Sequence, residues 1–280
     1  TISGVGAMND YSASTDMPWY AHRDAVKSIA VEDGVMRVGS HAFSFFTALE
    51  RVKISASVTS VGSFAFDGCS ALKYVTFSEG LTSIEGGAFF NCTALKGFVL
   101  PESVEVIGSY AFKGCKTMTY IELPQHMTSI GKSAFEECEK LLSVTIPKGV
   151  SVVEEKTFAY CYALQSAEFY GEVTDIKEFA FFATELKAVK IPNSVEHIGR
   201  SAFSNCRSLT AVILPQGLTT IEASTFSDCR SLASVLIPES VTSIKKSAFW
   251  YCSSLAGISI PKNVKEIDNE AFLNLSLIHI

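Results

Sequence analysis

One stretch of 23 residues decides the fold of this chain: Leu209-Thr-Ala-Val-Ile-Leu-Pro-Gln-Gly-Leu-Thr-Thr-Ile-Glu-Ala-Ser-Thr-Phe-Ser-Asp-Cys-Arg-Ser231. Its phenylalanine recurs along the chain at an almost constant step. Nine intervals of 23 residues and one of 22 separate eleven phenylalanines: Phe43, Phe66, Phe89, Phe112, Phe135, Phe158, Phe181, Phe203, Phe226, Phe249 and Phe272. A step this constant predicts one small unit that is built repeatedly, with each copy stacked on the last.

Each copy has three sections with different patterns. The first alternates apolar and polar residues, as around Val212 and Leu214, which predicts a strand with one buried face. Proline ends most of these strands, as at Pro215, because it has no N–H to donate. The second section, as in 241–244, predicts a short extended segment on the opposite wall, and the third, as in 247–252, predicts a tight turn that points Phe and Cys inward. Strands separated by one full coil must run parallel.

Composition fits a well-buried single domain. Of 280 residues 48% are hydrophobic and 19% charged, and the unbroken repeat gives no reason for a domain boundary. We therefore predict one array over residues 26–280, preceded by a cap or lead-in over residues 1–25 that shields the first open core.

No apolar run approaches the roughly 18 to 20 residues of a membrane span. The chain has no basic leader, so we expect any signal peptide to be already removed.

The repeat unit, in shorthand LxxVxIPxxVTSIxxxAFxxCxx, resembles the BspA-type leucine-rich repeat over essentially the whole chain. Residues 2–8 and 18–20 resemble the lead-in before such arrays in bacterial surface proteins. The resemblance and the repeat together predict an α/β solenoid, a right-handed leucine-rich-repeat superhelix of about eleven 23-residue units with parallel short strands. The resemblance also implies a non-enzymatic recognition module, secreted or at the cell surface, that binds and adheres to a host or neighbouring-cell surface protein.

Both ends of the array are irregular. An earlier, degenerate copy places Tyr20 near the phenylalanine position, and Trp19 is expected to plug the open core. The last copy stops at an apolar end: Leu273, Leu275, Leu277, Ile278 and Ile280. Either this end folds down as a cap or the natural chain continues beyond it, and we favour the second.

The cysteines follow the repeat. All eight lie three residues after a repeat phenylalanine: Cys69, Cys92, Cys115, Cys138, Cys161, Cys206, Cys229 and Cys252. A position fixed by the repeat is a packing position, and no CxxC pair with zinc-ligand spacing is present. Identical side chains stacked in one direction do not offer disulfide geometry. We therefore predict eight buried free thiols, even in a secreted protein.

The sequence holds no pattern typical of catalysis. The five histidines occupy different repeat positions and no HExxH or GxSxG motif is present: His22, His41, His126, His197 and His279. We expect no catalytic residue, metal or cofactor. A net charge of −6 argues against nucleic acid as a partner, and membrane insertion by this segment is not expected.

Outward positions on either side of the buried strand valine are where binding residues should lie. Tyrosines with nearby charges resemble protein-binding hot spots, and adjacent exposed apolar residues suggest contact, although strands also favour such residues for packing alone. The candidates on this face are Arg51, Lys53, Tyr74, Tyr120, Glu122, Ile213 and Leu236.

Aromatic residues on the turns suggest an alternative ligand. Trp250 and Tyr251 occupy positions that other copies mostly fill with polar residues, and Phe90, Tyr160 and Phe182 fall in the same positions. Such aromatics could stack on sugars, which would make the chain a carbohydrate-binding module. They could equally grip a protein or cover the outer seam of the coil.

The single 22-residue step lies between Phe181 and Phe203. There the run Phe181-Phe-Ala-Thr-Glu-Leu186 is one residue short and lacks the cysteine. Drift in a tolerant repeat is the simpler explanation, and a bend or a ligand notch is the alternative.

Overall fold

The computed structural model describes residues 1–276. The fold is a parallel-strand β-solenoid of about ten turns of about 23 residues, which confirms the predicted solenoid and roughly matches the predicted count of about eleven units. The Cα positions group into two compact units, Thr1–Leu141 and Leu142–Ile280. Helical structure within the described residues is limited to the 3₁₀ segments Ser14–Asp16 and Tyr20–His22. The expectations for Leu277, Ile278, His279 and Ile280 lie outside the described residues.

In the first unit, each coil, or rung, adds one strand to each of two walls. The strand wall consists of β2 (Ser28–Val31), β4 (Arg51–Ile54), β6 (Tyr74–Thr76), β8 (Phe98–Val99) and β10 (Ile121–Glu122). The short wall consists of β1 (Gly6–Ala7), β3 (Val35–Val38), β5 (Ser60–Val61), β7 (Ser83–Ile84), β9 (Val106–Ile107) and β11 (Ser129–Ile130). The short wall is one six-stranded parallel sheet in the order β1-β3-β5-β7-β9-β11, whereas the strand wall divides into β2-β4-β6 and β8-β10.

The second unit repeats this arrangement. Its strand wall consists of β12 (Ser143–Ile146), β14 (Ser166–Phe169), β16 (Ala188–Lys190), β18 (Ala211–Ile213) and β20 (Ser234–Leu236). Its short wall consists of β13 (Val152–Val153), β15 (Asp175–Ile176), β17 (His197–Ile198), β19 (Thr220–Ile221), β21 (Ser243–Ile244) and β22 (Glu266–Ile267). The pairings are parallel, within β12-β14, β16-β18-β20, β13-β15-β17 and β19-β21-β22.

The turn of each rung forms a third hydrogen-bonded ladder, which the sequence pattern did not show. The N–H groups of Phe64, Phe66 and Gly68 donate to carbonyls of the following rung at 3.0, 2.8 and 2.8 Å. Those of Ala65 and Asp67 donate within their own turn. This alternation requires a left-handed backbone two residues before and two after the phenylalanine, with φ of 54° at Phe64 and 67° at Gly68. The turn thereby satisfies its backbone without a helix.

The repeat phenylalanines stack along the core of each unit. Ring centroids in the first unit are 5.3 to 5.5 Å apart from Phe43 to Phe135. In the second unit they are 5.3 to 5.7 Å apart from Phe158 to Phe272. Neighbouring planes lie within 18° of parallel, an offset stack that favours aromatic pairs. The 22-residue step does not interrupt it.

Trp19 continues this stack at the N-terminal end of the first unit. Its ring lies 5.7 Å from that of Phe43, and its Nε1–H donates to the carbonyl of Ala42 at 2.7 Å. The expected plug is therefore present, and Trp19 rather than Tyr20 holds the phenylalanine position. Tyr20 instead receives the guanidinium of Arg23, 4.1 Å above its ring. The division into a cap over residues 1–25 and an array over residues 26–280 stays a prediction.

The cysteine thiols form a ladder beneath the turns. All eight are buried and free. Each of seven donates a weak hydrogen bond to the carbonyl of a phenylalanine in the preceding rung at 3.1 to 3.3 Å, as Cys69 does to Phe43. Burial raises the pKa of Cys206 to about 11 and that of Cys252 to about 12. The thiolate, the reactive form, is therefore suppressed.

A cavity at the middle of the stack should be more damaging than one at its end. Phe226 is fully buried between Phe203 and Phe249, whereas Phe272 is half-buried. We expect Phe226→Ala to lower the free energy of unfolding by about 3 to 5 kcal/mol, and Phe272→Ala by clearly less. Chemical denaturation of the two variants measures this, and equal losses would contradict the stacked core.

The cysteines should be inert until the solenoid opens. We expect an aromatic disulfide reagent such as DTNB to modify none of the eight thiols in the native protein at pH 8, and all eight in denaturant. The measurement is thiolate release at each denaturant concentration. Rapid modification without denaturant would show that the ladder is not closed.

Candidate functional site

The strand wall of the first unit presents outward side chains whose neighbours are set by register. Arg51 in β4 lies opposite Tyr74 in β6, and Lys53 lies opposite Thr76. Val52 between them is buried, since successive strand residues point to opposite faces. The predicted residues Arg51, Lys53 and Tyr74 are therefore brought together on one exposed surface.

Tyr74 is held between two cations. The Arg51 guanidinium lies 5.3 Å from its ring centroid, and the ammonium of Lys96 lies 5.4 Å from the same centroid. The Lys96 ammonium also donates to the Tyr74 hydroxyl at 3.4 Å. Each cation–π contact at an exposed site contributes about 0.5 to 1 kcal/mol. The ring is thus fixed in place while 45% of the residue stays exposed.

Tyr120 owes its position to a glycine. A Cβ built on Gly97 would lie 2.2 Å from Cδ1 of Tyr120, so the tyrosine ring occupies the space that any side chain at position 97 would need. Tyr120 is 47% exposed. Glu122, two residues on, pairs in register with the exposed Val99. A side chain at position 97 would displace the ring.

Positive charge is in excess along the outward positions of this strand wall. Five cations occupy the two positions before and the one after the buried strand residue: Lys27, Arg51, Lys53, Lys73 and Lys96. Two carboxylates, Glu50 and Glu122, occupy the same positions, so the excess is three positive charges. Lys73 is paired with Glu50 at 3.4 Å. We call the part formed by Arg51, Lys53, Tyr74, Lys96 and Tyr120 the basic aromatic surface. The charge of this surface is positive, whereas the whole chain carries a net charge of −6.

The strand wall of the second unit has a different character. Ile213 and Leu236 are in register and are 58% and 73% exposed. Ala211 and Ser234, also in register, lie beside them and add little bulk. Lys190 is the neighbour of Ile213 on the other strand. The two predicted apolar residues therefore form a small ledge of their own in this unit.

The turn-side pair Trp250 and Tyr251 is brought into contact, but not as a flat platform. Their ring centroids are 4.4 Å apart and the planes meet at 70°. The Arg230 guanidinium lies 5.9 Å from the Tyr251 ring. Trp250 is half-buried and Tyr251 exposed, so a ligand would meet mainly the tyrosine.

Two residues that shape the basic aromatic surface were missed by the sequence reasoning: Lys96, which belongs to it, and Gly97, which lies beneath Tyr120. Lys96 lies one position before the outward positions that flank the buried strand valine. Gly97 lies in one of those positions, but it has no side chain that could contact a ligand. The signal for Lys96 was present, because the same position before each strand holds a charged residue in four successive rungs: Lys27, Glu50, Lys73 and Lys96. Gly97 leaves space for the Tyr120 ring, and no pattern in the local sequence predicts the direction in which that ring points.

On the turn side of the first unit, Asp67 occupies the position that Trp250 holds in its own rung. Its backbone carbonyl accepts from the N–H of Phe45, and its side chain is half-buried. Burial raises the pKa of Asp67 to about 6. The folded state therefore favours the protonated carboxyl more than the unfolded state does.

No group of three His, Cys, Asp or Glu side chains within residues 1–276 is arranged to hold a metal ion. Over the same residues, no helix combines the length and apolarity needed to cross a bilayer.

Comparison with known families agrees with this architecture. The sequence model of the BspA type leucine rich repeat region matches residues 18–115, 82–206 and 174–280, with six copies. The chain belongs to the BspA-type leucine-rich repeat family. No curated protein sequence matches it.

Solved structures of other bacterial leucine-rich repeat proteins resemble this family member over most of its length. A leucine-rich repeat protein from Eubacterium ventriosum is 25% identical with a TM-score of 0.55, covering 99% of this chain and 90% of that one. A leucine rich cell surface protein from Faecalibacterium prausnitzii is 26% identical with a TM-score of 0.58, covering 99% and 83%. A leucine rich repeat protein from T. pallidum is 28% identical with a TM-score of 0.55, covering 73% and 83%.

Replacing Asp67 should stabilise this leucine-rich repeat chain in a pH-dependent way. Since the folded-state pKa of about 6 lies above the ordinary value of 3.8, the charged form penalises folding above pH 6, and the penalty fades as the pH falls towards 4. We expect Asp67→Asn to raise the free energy of unfolding at pH 7.5 by about 1 kcal/mol after allowance for solvent screening. Thermal unfolding at pH 7.5 and pH 4 measures it, and a gain of equal size at both pH values would contradict the burial argument.

Proposed function

We propose that this chain is a non-enzymatic recognition module, secreted or displayed at the cell surface, that binds an acidic segment of another protein through the basic aromatic surface. The partner is a protein of a host or neighbouring cell, which makes the activity one of adhesion. Membership of the leucine-rich repeat family supports the general role of protein interaction. The excess of positive charge on this surface supports an acidic partner.

The observation that carries the proposal is Tyr74 held between Arg51 and Lys96. A tyrosine fixed in place loses little conformational freedom on binding, and Tyr and Arg are the residues that most often dominate interfaces. The two cations offer N–H donors beside the ring, so a carboxylate can bind them while neighbouring apolar atoms contact the tyrosine.

Placement outside the cell is supported by one relative. The 26% identical structure from Faecalibacterium prausnitzii is described as a leucine rich cell surface protein. A solenoid whose thiols are all buried suits such a location, since it presents no exposed cysteine for oxidation.

The remaining candidates of the sequence stay predictions. Ile213 and Leu236 form an exposed ledge, for which the structure offers no charge or shape that defines an occupant. Carbohydrate binding at Trp250 and Tyr251 is the alternative function, and the 70° angle between their rings gives it less support than a flat pair would.

Charge reversal at matched positions tests the proposal. Lys53 and Lys190 occupy the same repeat position on the strand walls of different units, and both are exposed. We expect binding to an array of Asp- and Glu-rich synthetic peptides to fall about tenfold in Lys53→Glu and about tenfold or more in Tyr74→Ala. Lys190→Glu, the matched control, should bind as the native chain does. Fluorescence anisotropy with the best array peptide measures the dissociation constants.

Salt dependence provides a second reading. Raising the ionic strength from 0.1 to 1 M shortens the Debye length from about 10 to about 3 Å, so binding of the acidic peptides should weaken strongly. Equal losses in Lys53→Glu and Lys190→Glu, or equal binding of acidic peptides and their Asn and Gln counterparts, would refute a role for this surface.

A further inference from the structure

The short rung between Phe181 and Leu186 leaves one side-chain position empty, and the contacts identify which one. Thr184 replaces the repeat cysteine, because its Oγ1 lies 3.2 Å from Sγ of Cys206. Glu185 accepts a hydrogen bond from the hydroxyl of Ser208, the residue that precedes the repeat leucine of its own rung. Arg207, which stands between Cys206 and Ser208, therefore has no counterpart in the short rung.

The same position in the preceding rung is held by Tyr162. The missing residue thus opens a gap between Tyr162 on one side and Arg207 on the other. A second feature deepens it, because the floor residue is Ala183, at a position where other rungs carry Tyr160 and Tyr251. Their backbones share one conformation, with φ of 56° at Ala183, 61° at Tyr160 and 59° at Tyr251.

The gap is a pocket of about 260 Å³ on the turn side of the second unit. Its lining consists of Tyr162, Phe182, Ala183, Glu185, Asn205 and Arg207. This volume equals that of about nine bulk water molecules, at about 30 Å³ each. It offers room for a single small ring.

Two aromatic rings on one side of the pocket are fixed by a third. Tyr160 makes edge-to-face contacts with both, at centroid distances of 6.2 Å to Tyr162 and 5.2 Å to Phe182. Phe179 supports Phe182 from a further direction at 5.5 Å. Tyr162 remains 53% exposed. The pocket therefore offers rigid aromatic surface to a ligand.

The polar side is hydrogen-bonding but electrically balanced. Nε and Nη2 of Arg207 both lie 2.9 Å from Oδ2 of the buried Asp228, whose Oδ1 accepts from Arg230 at 2.6 Å. Two cations thus face two carboxylates, Asp228 and Glu185. Asn205 adds an amide, whose oxygen accepts from Nη2 of Arg207 at 3.4 Å. An anionic ligand would meet a guanidinium whose charge is already neutralised, together with the Glu185 carboxylate.

We propose that this pocket binds a neutral sugar ring, the terminal hexopyranose of a glycan. The apolar C–H face of a pyranose matches the fixed rings of Tyr162 and Phe182. Its hydroxyls both donate and accept, which matches the carboxylate of Glu185, the amide of Asn205 and the guanidinium N–H groups of Arg207. An amino acid would require separate partners for its two charges, and the balanced polar side does not provide them. The proposal is independent of the peptide-binding surface of the first unit.

Saturation-transfer NMR with defined sugars tests the proposal. The probes are the methyl glycosides of glucose, galactose, mannose and N-acetylglucosamine, with glucuronate and sialic acid as anionic counterparts. We expect at least one neutral glycoside to bind with a dissociation constant in the millimolar range, about what a ligand of a dozen heavy atoms reaches in a shallow pocket. Anionic sugars should give no signal above background.

Variants locate the binding. Tyr162→Ala removes an exposed ring, and Ala183→Tyr fills the floor with a residue that two other rungs already hold in the same backbone conformation. We expect both to weaken binding at least tenfold, whereas Tyr251→Ala, the matched turn-side control outside the pocket, should bind as the native chain does. Circular dichroism and thermal unfolding confirm that each variant is folded. Should Ala183→Tyr not fold, insertion of Ser between Thr184 and Glu185 restores the 23-residue step and fills the pocket instead.

Three results would overturn the proposal. The first is the absence of transfer from every neutral glycoside to the native chain. The second is equal binding by the native chain, Tyr162→Ala and a folded filled-pocket variant. The third is loss of binding in Tyr251→Ala alone, which would place the sugar at the Trp250–Tyr251 pair. None of these results affects binding of acidic peptides at Lys53 and Tyr74, so the two proposals fail separately.

Discussion

Within each unit of this solenoid, a rung has the next rung as its packing partner, and the rest of the structure depends on this constraint. A phenylalanine ring 5.3 to 5.7 Å from its neighbours packs best against another phenylalanine in the same position. A thiol that is hydrogen-bonded to a carbonyl of the preceding rung fits best beneath an identical turn. The backbone obeys the same rule, because strand wall, short wall and turn all pass hydrogen bonds from rung to rung. Repetition of sequence is therefore a physical requirement of the core.

The constraint confines recognition to outward positions, where a side chain can change without disturbing its neighbours. The two units use that freedom differently, with cations around tyrosines on the strand wall of the first and an apolar ledge on that of the second. The turns offer a further kind of variation, the loss of a residue. At the 22-residue step the phenylalanine stack is kept while one turn position disappears, so a pocket forms without a cost to the core.

Sequence reasoning was most successful where a residue's neighbour is its own repeat. The parallel strands, the inward Phe and Cys and the short second strand all follow from columns that can be read along the chain. It was less successful where neighbours differ in type. Trp19 rather than Tyr20 extends the stack. A cap must place an aromatic ring against the end of the stack, but it does not have to keep the 23-residue spacing. The turn ladder, with left-handed residues as unlike as Phe64, Asn91 and Lys156, leaves no compositional trace beyond a few glycines.

The sequence by itself determined the periodicity, the buried columns, the absence of paired cysteine ligands and the family, because each of these is a property of spacing along the chain. Only the tertiary structure decided which outward residues meet. Three arrangements depend on distances between different rungs: the contacts of Arg51 and Lys96 with Tyr74, the position of Tyr120 over Gly97, and the pocket between Tyr162 and Arg207. Those distances depend on the conformations that flexible side chains adopt at the surface, and a one-dimensional pattern does not contain that information.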